Sequence, residues 1–318
     1  MTRPDLSVTL AGMRWSNPLT TASGTMSGWE NYGQLMPLDT FGALTVKSIT
    51  LEPRLGNPPP RLSETPSGLL NAIGIPNPGL AGFLAQELPK VRSFGVPIIV
   101  SIAGHSLGEY VALAERLSGE PGVAALEINM SCPNVGKETM EFGQSPHGAA
   151  RLVKTLRAVT RLPLIPKLTP NCTDVAEIAR AVVAEGADAV SLINTVVGMS
   201  IDIQTGLPRT GNLTGGLSGP AVKPIALYMV WKVAGAVTVP VIGMGGIMTT
   251  ADAIEFLMAG ATAIALGTVN FVNPRAALEI RDGIAAFLVE RGLAGVSDLT
   301  GTTRRSWREQ QLLYRAHT

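Results

Sequence analysis

The sequence Val123-Ala-Ala-Leu-Glu-Ile-Asn-Met-Ser-Cys-Pro-Asn134 places an apolar run directly before a polar one. The apolar run has the length and composition of a buried strand. Pro133 cannot continue strand pairing, so the strand must end near Asn129 and the following side chains must lie on a loop. The carboxamides of Asn129 and Asn134 both donate and accept hydrogen bonds, which suits a planar ligand with imide N–H and C=O groups. From these residues alone, a turn with a buried, inert cysteine remains an alternative to a reaction site at Cys132.

Further apolar runs of strand length lie along the chain, and segments with helical spacing separate most of them. Together the runs occupy residues 18–23, 43–48, 96–102, 123–129, 162–168, 188–194, 239–245 and 263–268. Helices are predicted at 107–117, 148–159, 175–184, 222–233 and 251–258, with Thr173 and Thr250 as N-caps, and a last helix after Pro274 that ends near Gly292. Near-continuous hydrophobicity is typical of parallel strands covered on both faces, so the eight repeats predict a TIM (β/α)8 barrel in the α/β class. We expect residues 1–318 to form a single domain, with 303–318 as a C-terminal tail.

Additional segments are predicted at both ends of the barrel. Residues 6–15 alternate around Ala11-Gly12 and predict a hairpin that plugs the N-terminal mouth, with an irregular arm as the alternative. Long connections at 51–80, 130–147 and 195–221 follow predicted strand C-termini, and the first contains seven prolines. Long loops in compact domains usually bind or cover a ligand, and the C-terminal face of such a barrel carries the chemistry.

Composition limits the classes of function. Hydrophobic residues make up 46% of the chain and charged residues 15%, which is enough apolar material for a large core. The net charge of +1 gives no broad electrostatic surface for nucleic acid. No apolar run approaches the roughly 20 residues of a membrane span, and the N-terminus lacks a signal-peptide pattern, so we expect a cytoplasmic protein without a membrane partner. Two cysteines, Cys132 and Cys172, and three dispersed histidines predict no metal site on this chain.

Polar and glycine residues gather where the predicted strands end. The last positions of the strands are Ser23, Lys47, Ser101, Asn129, Lys167, Asn194, Gly245 and Thr268. We expect Lys47 and Lys167 to face inward, because apolar strand residues precede both. Glycines at 215–219, 243–246 and 267 leave backbone amides accessible beside the last two strands, where such barrels bind phosphate. These features predict a phosphorylated cofactor.

With these residues the chain resembles the class 1 dihydroorotate dehydrogenase family, and most of all its NAD-linked class 1B catalytic subunits. The resemblance covers roughly residues 5–290. It rests on motifs at 46–48, 71–79, 129–134, 167–171, 193–195, 215–219, 245–246 and 267–268. The run Pro166-Lys-Leu-Thr-Pro-Asn171, followed by Thr173-Asp174, is similar to the class 1B branch rather than the homodimeric fumarate-using branch.

The resemblance implies a site for FMN and one for dihydroorotate. The residues implied for FMN are Ser23, Lys47, Ser48, Ser101, Asn129, Lys167, Ile193, Gly219, Gly245, Gly246, Gly267 and Thr268. Those implied for the substrate are Lys47, Asn71, Ala72, Ile73, Gly74, Ile75, Asn129, Asn134, Asn194 and Thr195. Ser101 stands where the family commonly has asparagine, so its contact with the flavin would need a bridging water.

The implied activity is oxidation of dihydroorotate to orotate in pyrimidine biosynthesis. Cys132 would remove the proton from C5 while C6 delivers hydride to FMN. Since no dinucleotide fingerprint follows a strand, electrons would reach NAD through a partner subunit that carries FAD and a [2Fe–2S] cluster. The resemblance implies a homodimeric core within a heterotetramer.

Other functions remain open from the residues. A dihydropyrimidine-oxidising relative would use the same flavin and a similar cysteine. A lyase could form a Schiff base at Lys167, and a non-catalytic barrel subunit is a further alternative.

Overall fold

A closed ring of eight parallel strands organises the chain in the computed structural model, which describes residues 4–26, 29–130 and 142–317, with side chains except at 30 and 313–317. The strands are β1 Val8–Leu10, β2 Met13–Trp15, β3 Leu19–Thr21, β4 Leu44–Thr45, β5 Leu62–Thr65, β6 Gly68–Asn71, β7 Ile98–Ile102, β8 Val123–Asn129, β9 Leu164–Leu168, β10 Val190–Leu192, β11 Val196–Gly198, β12 Gly215–Ser218, β13 Val241–Gly243 and β14 Ala263–Leu266. The helices are α1 Trp29–Leu35, α2 Gly79–Gly82, α3 Leu88–Arg92, α4 Leu107–Ser118, α5 Pro146–Val159, α6 Val175–Ala184, α7 Lys223–Ala234, α8 Thr250–Ala259, α9 Val269–Val272, α10 Ala276–Glu290, α11 Val296–Leu299 and α12 Thr302–His317. The order of the ring is β3-β14-β13-β10-β9-β8-β7-β4. The predicted barrel and its eight strands are confirmed.

Side chains complete the ring between β3 and β4. The Thr21 hydroxyl donates to the Thr45 carbonyl oxygen at 2.7 Å and accepts from the Thr45 amide at 3.0 Å. Both threonines are buried. The Thr21 side chain thus supplements the backbone hydrogen bond from the Gly42 amide to the Leu19 carbonyl oxygen, 2.9 Å, where the regular ladder between β3 and β4 is missing.

The N-terminal hairpin lies against one end of the barrel interior. β1 and β2 pair antiparallel with Val8 opposite Trp15. Leu10 and Trp15 are fully buried and pack with inward-facing residues such as Ala125, Ile165 and Ala189. The small alanines leave room for the indole, so the predicted hairpin plug is confirmed and the irregular arm is wrong.

The outer helices agree with their predicted positions, but two N-caps are shifted by one residue. Asp174, not Thr173, caps α6 and accepts from the Ala176 amide at 2.8 Å. Thr249, not Thr250, caps α8 and forms a capping box with Asp252. A carboxylate or hydroxyl caps best from extended backbone, which Asp174 and Thr249 adopt.

A second sheet covers the C-terminal face and was not predicted. β5 and β6 come from the connection at 51–80, and β11 and β12 from that at 195–221. They form an antiparallel sheet in the order β11-β12-β6-β5. The two long loops are therefore hydrogen-bonded into one unit instead of being separate structureless insertions.

The last helix, α12, packs back onto the barrel. The Arg304 guanidinium lies 4.3 Å from the centre of the Trp231 ring on α7 and donates to the Trp231 carbonyl oxygen. None of the helices in the described part of the chain is both long and apolar enough to cross a bilayer.

Candidate active site

The barrel interior changes from apolar to polar along each strand. Asn129 and Ser191 both lie opposite Lys167 in the ladders of β8-β9 and β10-β9. Because side chains alternate along a strand, Glu127 points inward one layer below Asn129. Towards the hairpin plug the interior is apolar, and Ala125 and Ile165 belong to the same buried cluster as Leu10 and Trp15. The polar layers therefore face the C-terminal end, where sequence analysis places the site.

Lys167 is buried in this polar interior, with 5% of its surface exposed. Its ammonium donates to the Ser23 hydroxyl at 3.1 Å and lies 3.9 Å from Glu127 Oε1. Ser191 donates to the other oxygen of Glu127 at 3.1 Å. The Lys167 ammonium is therefore held by Ser23, which follows β3, and by Glu127 on β8, and it keeps donor capacity for a ligand.

A chain of hydrogen bonds connects four polar residues beside Lys167. The Ser101 and Ser48 hydroxyls are 2.8 Å apart, and the side-chain amide of Asn129 donates to the Ser48 hydroxyl at 3.1 Å. The Asn194 side-chain amide donates to Asn129 Oδ1 at 3.4 Å. Ser101 has no exposed surface, so the structure places it behind Ser48. Tyr110 fixes the strand end by donating to the Asn129 backbone oxygen at 2.7 Å.

Lys47 follows β4 and is partly buried. Burial holds the pKa of Lys47 below its usual value, and the positive charge of Arg61 lowers it further. Both causes disfavour the cation, so a ligand carboxylate at this position would relieve an existing electrostatic cost.

The loop at residues 71–75 leads out of β6 and is held by Asn57. The Asn57 amides donate to the carbonyl oxygens of Ile73 at 3.0 Å and Ala72 at 3.1 Å. Gly74 has φ +77°, and a Cβ there would lie 2.5 Å from the Asn57 nitrogen. Ile75 also has a positive φ of 53°. This tight loop depends on glycine at 74 and on an asparagine that sequence reasoning missed.

The end of β10 presents Ile193, Asn194 and Thr195. Ile193 is buried, and the Asn194 amide donates to the Leu168 carbonyl oxygen at 2.9 Å. Asn171 donates to the Thr195 carbonyl oxygen at 3.0 Å and accepts from the Val197 amide at 2.9 Å. Asn171 thus braces the segment that carries the predicted substrate residues.

Gly219, Gly246 and Thr268 come together at the end of the seventh and eighth barrel strands. A Cβ on Gly246 would lie 2.8 Å from the Gly219 carbonyl oxygen, and one on Gly219 would lie 3.6 Å from Thr268 Cγ2. Gly245 and Gly246 have φ of +127° and +77°, which L side chains rarely adopt. Gly267 directly precedes Thr268, whose hydroxyl donates to Ser218 at 2.8 Å. The predicted glycine clusters are brought into one corner.

One of the two cysteines, Cys172, lies within the described residues. Cys132 and Asn134 lie outside the described residues. Cys172 is partly buried and its thiol lies 3.3 Å from the Thr169 carbonyl oxygen. Burial raises the pKa of the Cys172 thiol, and the negative charge of Asp174 raises it further. Cys172 is therefore poorly suited to act as a thiolate at neutral pH.

Glu127 and Ser191 were missed by the sequence analysis as parts of the site. The signal for Glu127 was a single carboxylate within the apolar run 123–128. Glu127 lies among buried strand residues, and the sequence does not show which of them point into the barrel. The register of β8 in the structure shows that the Glu127 side chain points inward. Among the described residues, no group of three metal-binding side chains is assembled.

Comparison with known proteins gives one family. A family model described as dihydroorotate dehydrogenase matches residues 5–288. A protein of Desulforudis audaxviator, named dihydroorotate dehydrogenase B (NAD(+)), catalytic subunit, is 50% identical over 299 residues, which cover 94% of this chain and 97% of that protein. Relatives of the same name from Geotalea uraniireducens and Geobacter sulfurreducens are each 50% identical over 301 residues, covering 95% of this chain and 99% of each relative.

Proposed function

We propose a function from one premise, that this chain belongs to the dihydroorotate dehydrogenase family. The premise holds because the family model covers residues 5–288 and relatives at 50% identity cover almost the whole chain. The proposed reaction is the flavin-dependent oxidation of dihydroorotate to orotate in pyrimidine biosynthesis. The observation that carries it is a buried Lys167 opposite Asn129, with the Lys47 ammonium near Gly24, at the C-terminal end of a barrel whose relatives bear that enzyme's name.

FMN fits the chemistry of the assembled residues. Lys167 offers a buried cation held by Ser23, and such a cation would stabilise negative charge on a flavin ring. The corner of Gly219, Gly246 and Thr268 offers closely approaching backbone, which suits a phosphate. When bound, FMN would supply the hydride acceptor for C6 of the substrate.

The chain's own residues would bind the substrate and take its proton. We propose that Lys47 pairs with the substrate carboxylate, while Asn71, Asn129, Asn194 and Thr195 hydrogen-bond its ring amide groups. Ala72, Ile73, Gly74 and Ile75 would close over it from the loop held by Asn57. Cys132 would act as the base that removes the C5 proton, and Asn134 would contribute to substrate binding.

The proposal includes a partner for the electrons. The relatives are named as catalytic subunits of an NAD(+) enzyme, which supports a second subunit. We propose that this partner carries FAD and a [2Fe–2S] cluster and joins a homodimer of this chain in a heterotetramer. Strong NAD reduction by this chain alone would contradict the proposal.

An anaerobic mixing experiment tests the reaction. Purified, FMN-loaded protein should lose its flavin absorbance when dihydroorotate is added. Cys132→Ala should stay yellow and be reduced at least about 100-fold more slowly, since a general base contributes roughly 10²–10⁴-fold. Cys172→Ala is the matched control and should keep the parental rate. A parent that dihydroorotate does not bleach would refute the function, and a parental rate in Cys132→Ala would remove Cys132 from it.

The same experiment addresses a dihydropyrimidine substrate. Dihydrouracil lacks the carboxylate that Lys47 would bind, so it should reduce the flavin far more slowly than dihydroorotate. Faster reduction by dihydrouracil would reassign the substrate and leave the flavin chemistry in place.

A further inference from the structure

Glu127 is a buried carboxylate whose hydrogen bonding is incomplete. Its side chain is 2% exposed. Ser191 donates to Oε2 at 3.1 Å, whereas Oε1 has no hydrogen-bond partner among the described atoms. The nearest cation is the Lys167 ammonium, 3.9 Å from that same oxygen.

Stability does not account for this arrangement. Removing two charges from water is unfavourable, and the attraction between them offsets this only when the remaining hydrogen bonds are also satisfied. Here the ion pair is longer than a hydrogen bond and one carboxylate oxygen is unsatisfied. Apolar side chains of similar volume would pack the barrel at least as well. A role in the site is the better explanation for a carboxylate at this position.

The position of Glu127 relative to Lys167 indicates that role. Glu127 lies one layer deeper in the barrel than Asn129, which pairs with Lys167. Ser23, the other partner of the ammonium, follows the end of β3 on the side of the site. The ammonium is therefore held between a neutral hydroxyl at the site and a negative charge behind it.

We infer that Glu127 is a positioning residue that acts through Lys167 and partly offsets the positive charge that the flavin meets. This inference rests on the proposed FMN site. An ammonium without its counter-charge would favour reduced flavin, because negative charge accumulates on the ring during reduction. With Glu127 behind it, Lys167 still binds and orients the ring but favours the reduced form less. Such a flavin passes its electrons on more readily, as a chain that supplies a partner subunit requires.

The dissociation constants of oxidised and reduced FMN from the apoprotein test this inference. In Glu127→Gln, the ratio of the oxidised to the reduced dissociation constant should rise about tenfold, the scale of one unit charge acting through protein interior. For a two-electron couple, a tenfold change equals a shift of about 30 mV to a more positive potential. Redox titration against a reference dye under anaerobic conditions measures that shift independently of turnover.

Two control variants separate charge from packing. Glu127→Asp keeps the charge and should keep the parental ratio within about threefold. Glu185→Gln makes the same substitution in the ion pair between Lys154 on α5 and Glu185 directly after α6, 3.6 Å apart, and should leave the ratio unchanged.

The outcomes are distinct for this inference and for the proposed function. Equal weakening of both dissociation constants in Glu127→Gln would show a purely structural role and overturn the inference. A shift to a more negative potential would overturn it as well. A parent protein that binds no FMN would refute the proposed function, and this inference with it.

Discussion

Lys47 combines an electrostatic cost in the ligand-free protein with a proposed role in substrate binding. Its pKa is lowered by burial and by Arg61, so folding disfavours the charged form. The resulting destabilisation is present at pH values below the lowered pKa. It disappears as pH rises from there to the usual pKa of lysine. Residues that bind charged ligands often carry such a cost.

Lys47→Met should separate these two effects. At pH 7 the free energy of unfolding of the ligand-free protein should rise, because an apolar side chain replaces a desolvated cation. The gain should shrink when denaturation is repeated near pH 10. The affinity for orotate should fall roughly 10- to 100-fold, as expected for loss of a charge-assisted hydrogen bond.

Lys154→Met is the control for this substitution. Lys154 is exposed and forms a surface ion pair with Glu185. Such pairs contribute about 0–1 kcal/mol, so stability and orotate affinity should both stay close to the parental values. Unchanged orotate affinity in Lys47→Met would remove Lys47 from the proposed substrate site.

Sequence reasoning at the residue scale worked where a side chain stands at a strand end. Ser23, Asn129 and Lys167 were expected at one face; the structure joins Lys167 to Ser23 by a hydrogen bond and places Asn129 opposite Lys167 in the ladder. It could not assign partners, because a partner depends on the register of strands distant in sequence. Ser101 shows this limit, since its hydroxyl meets Ser48 across 53 residues of chain.

At the scale of elements, the Thr21 hydroxyl makes two of the hydrogen bonds that join β3 to β4. Thr21→Val keeps the shape of the side chain but leaves the buried Thr45 amide and carbonyl without that partner. Each such loss costs about 1–3 kcal/mol, so we expect the free energy of unfolding to fall by roughly 2–6 kcal/mol. Urea denaturation followed by circular dichroism measures the change.

Thr40→Val is the matched control for the seam. Thr40 is 1% exposed and its hydroxyl has no hydrogen-bond partner among the described atoms. Replacing an unsatisfied buried hydroxyl with a methyl group should be neutral or stabilising. Equal losses in the two variants would show that Thr21 contributes through packing alone.

The close packing of the sheet over the C-terminal face predicts a steric effect at Gly216. A Cβ on Gly216 would lie 2.0 Å from Thr195 Oγ1. Gly216→Ala must therefore displace Thr195 or move β12 away from the strands it pairs with. Overpacking of this kind costs about 1–3 kcal/mol. We expect a lower melting temperature and at least about tenfold weaker orotate binding by calorimetry.

Gly198→Ala in the same sheet is the corresponding control. Its added Cβ would come no closer than 3.5 Å to Leu70, an ordinary contact. Parental stability and binding are expected. Parental orotate affinity in Gly216→Ala would argue against a substrate contact at Thr195.

The sheet over the C-terminal face could not be predicted from the sequence pattern. β5 and β6 are short and follow a proline-rich stretch, and β12 is Gly215-Gly-Leu-Ser218, which has little strand propensity. Their pairing is fixed by contacts such as Asn71 to the Gly216 carbonyl oxygen, 145 residues apart. The barrel strands were predictable because burial on both faces gives each one a local hydrophobic signature.

At the scale of the whole molecule, α12 contains most of residues 303–318, the segment expected as a C-terminal tail. Arg304 contacts Trp231, and burial together with the positive charge of Arg308 lowers the pKa of Arg304. We propose that the chain unfolds as one domain that includes α12. Arg304→Ala should then lower a single melting temperature by a few degrees, since a cation–π contact contributes about 0.5–2 kcal/mol.

Arg308→Ala provides the comparison. Arg308 is exposed and opposes the charge of Arg304, so its loss should not lower the melting temperature. An early, separate transition in the circular dichroism of Arg304→Ala would instead show that α12 melts on its own. The thermal profile thus distinguishes one cooperative unit from a barrel with an appended helix.

The pairing of β12 with both β6 and β11 has a consequence for anyone who would redesign this protein. Residues 62–71 and 196–218 interlock, and each segment shapes the backbone from which the other presents its polar groups. Grafting either stretch alone from a homologue would break the match at Gly216. Specificity for a new heterocycle would have to be transplanted as a two-piece cassette, with both pieces drawn from the same donor.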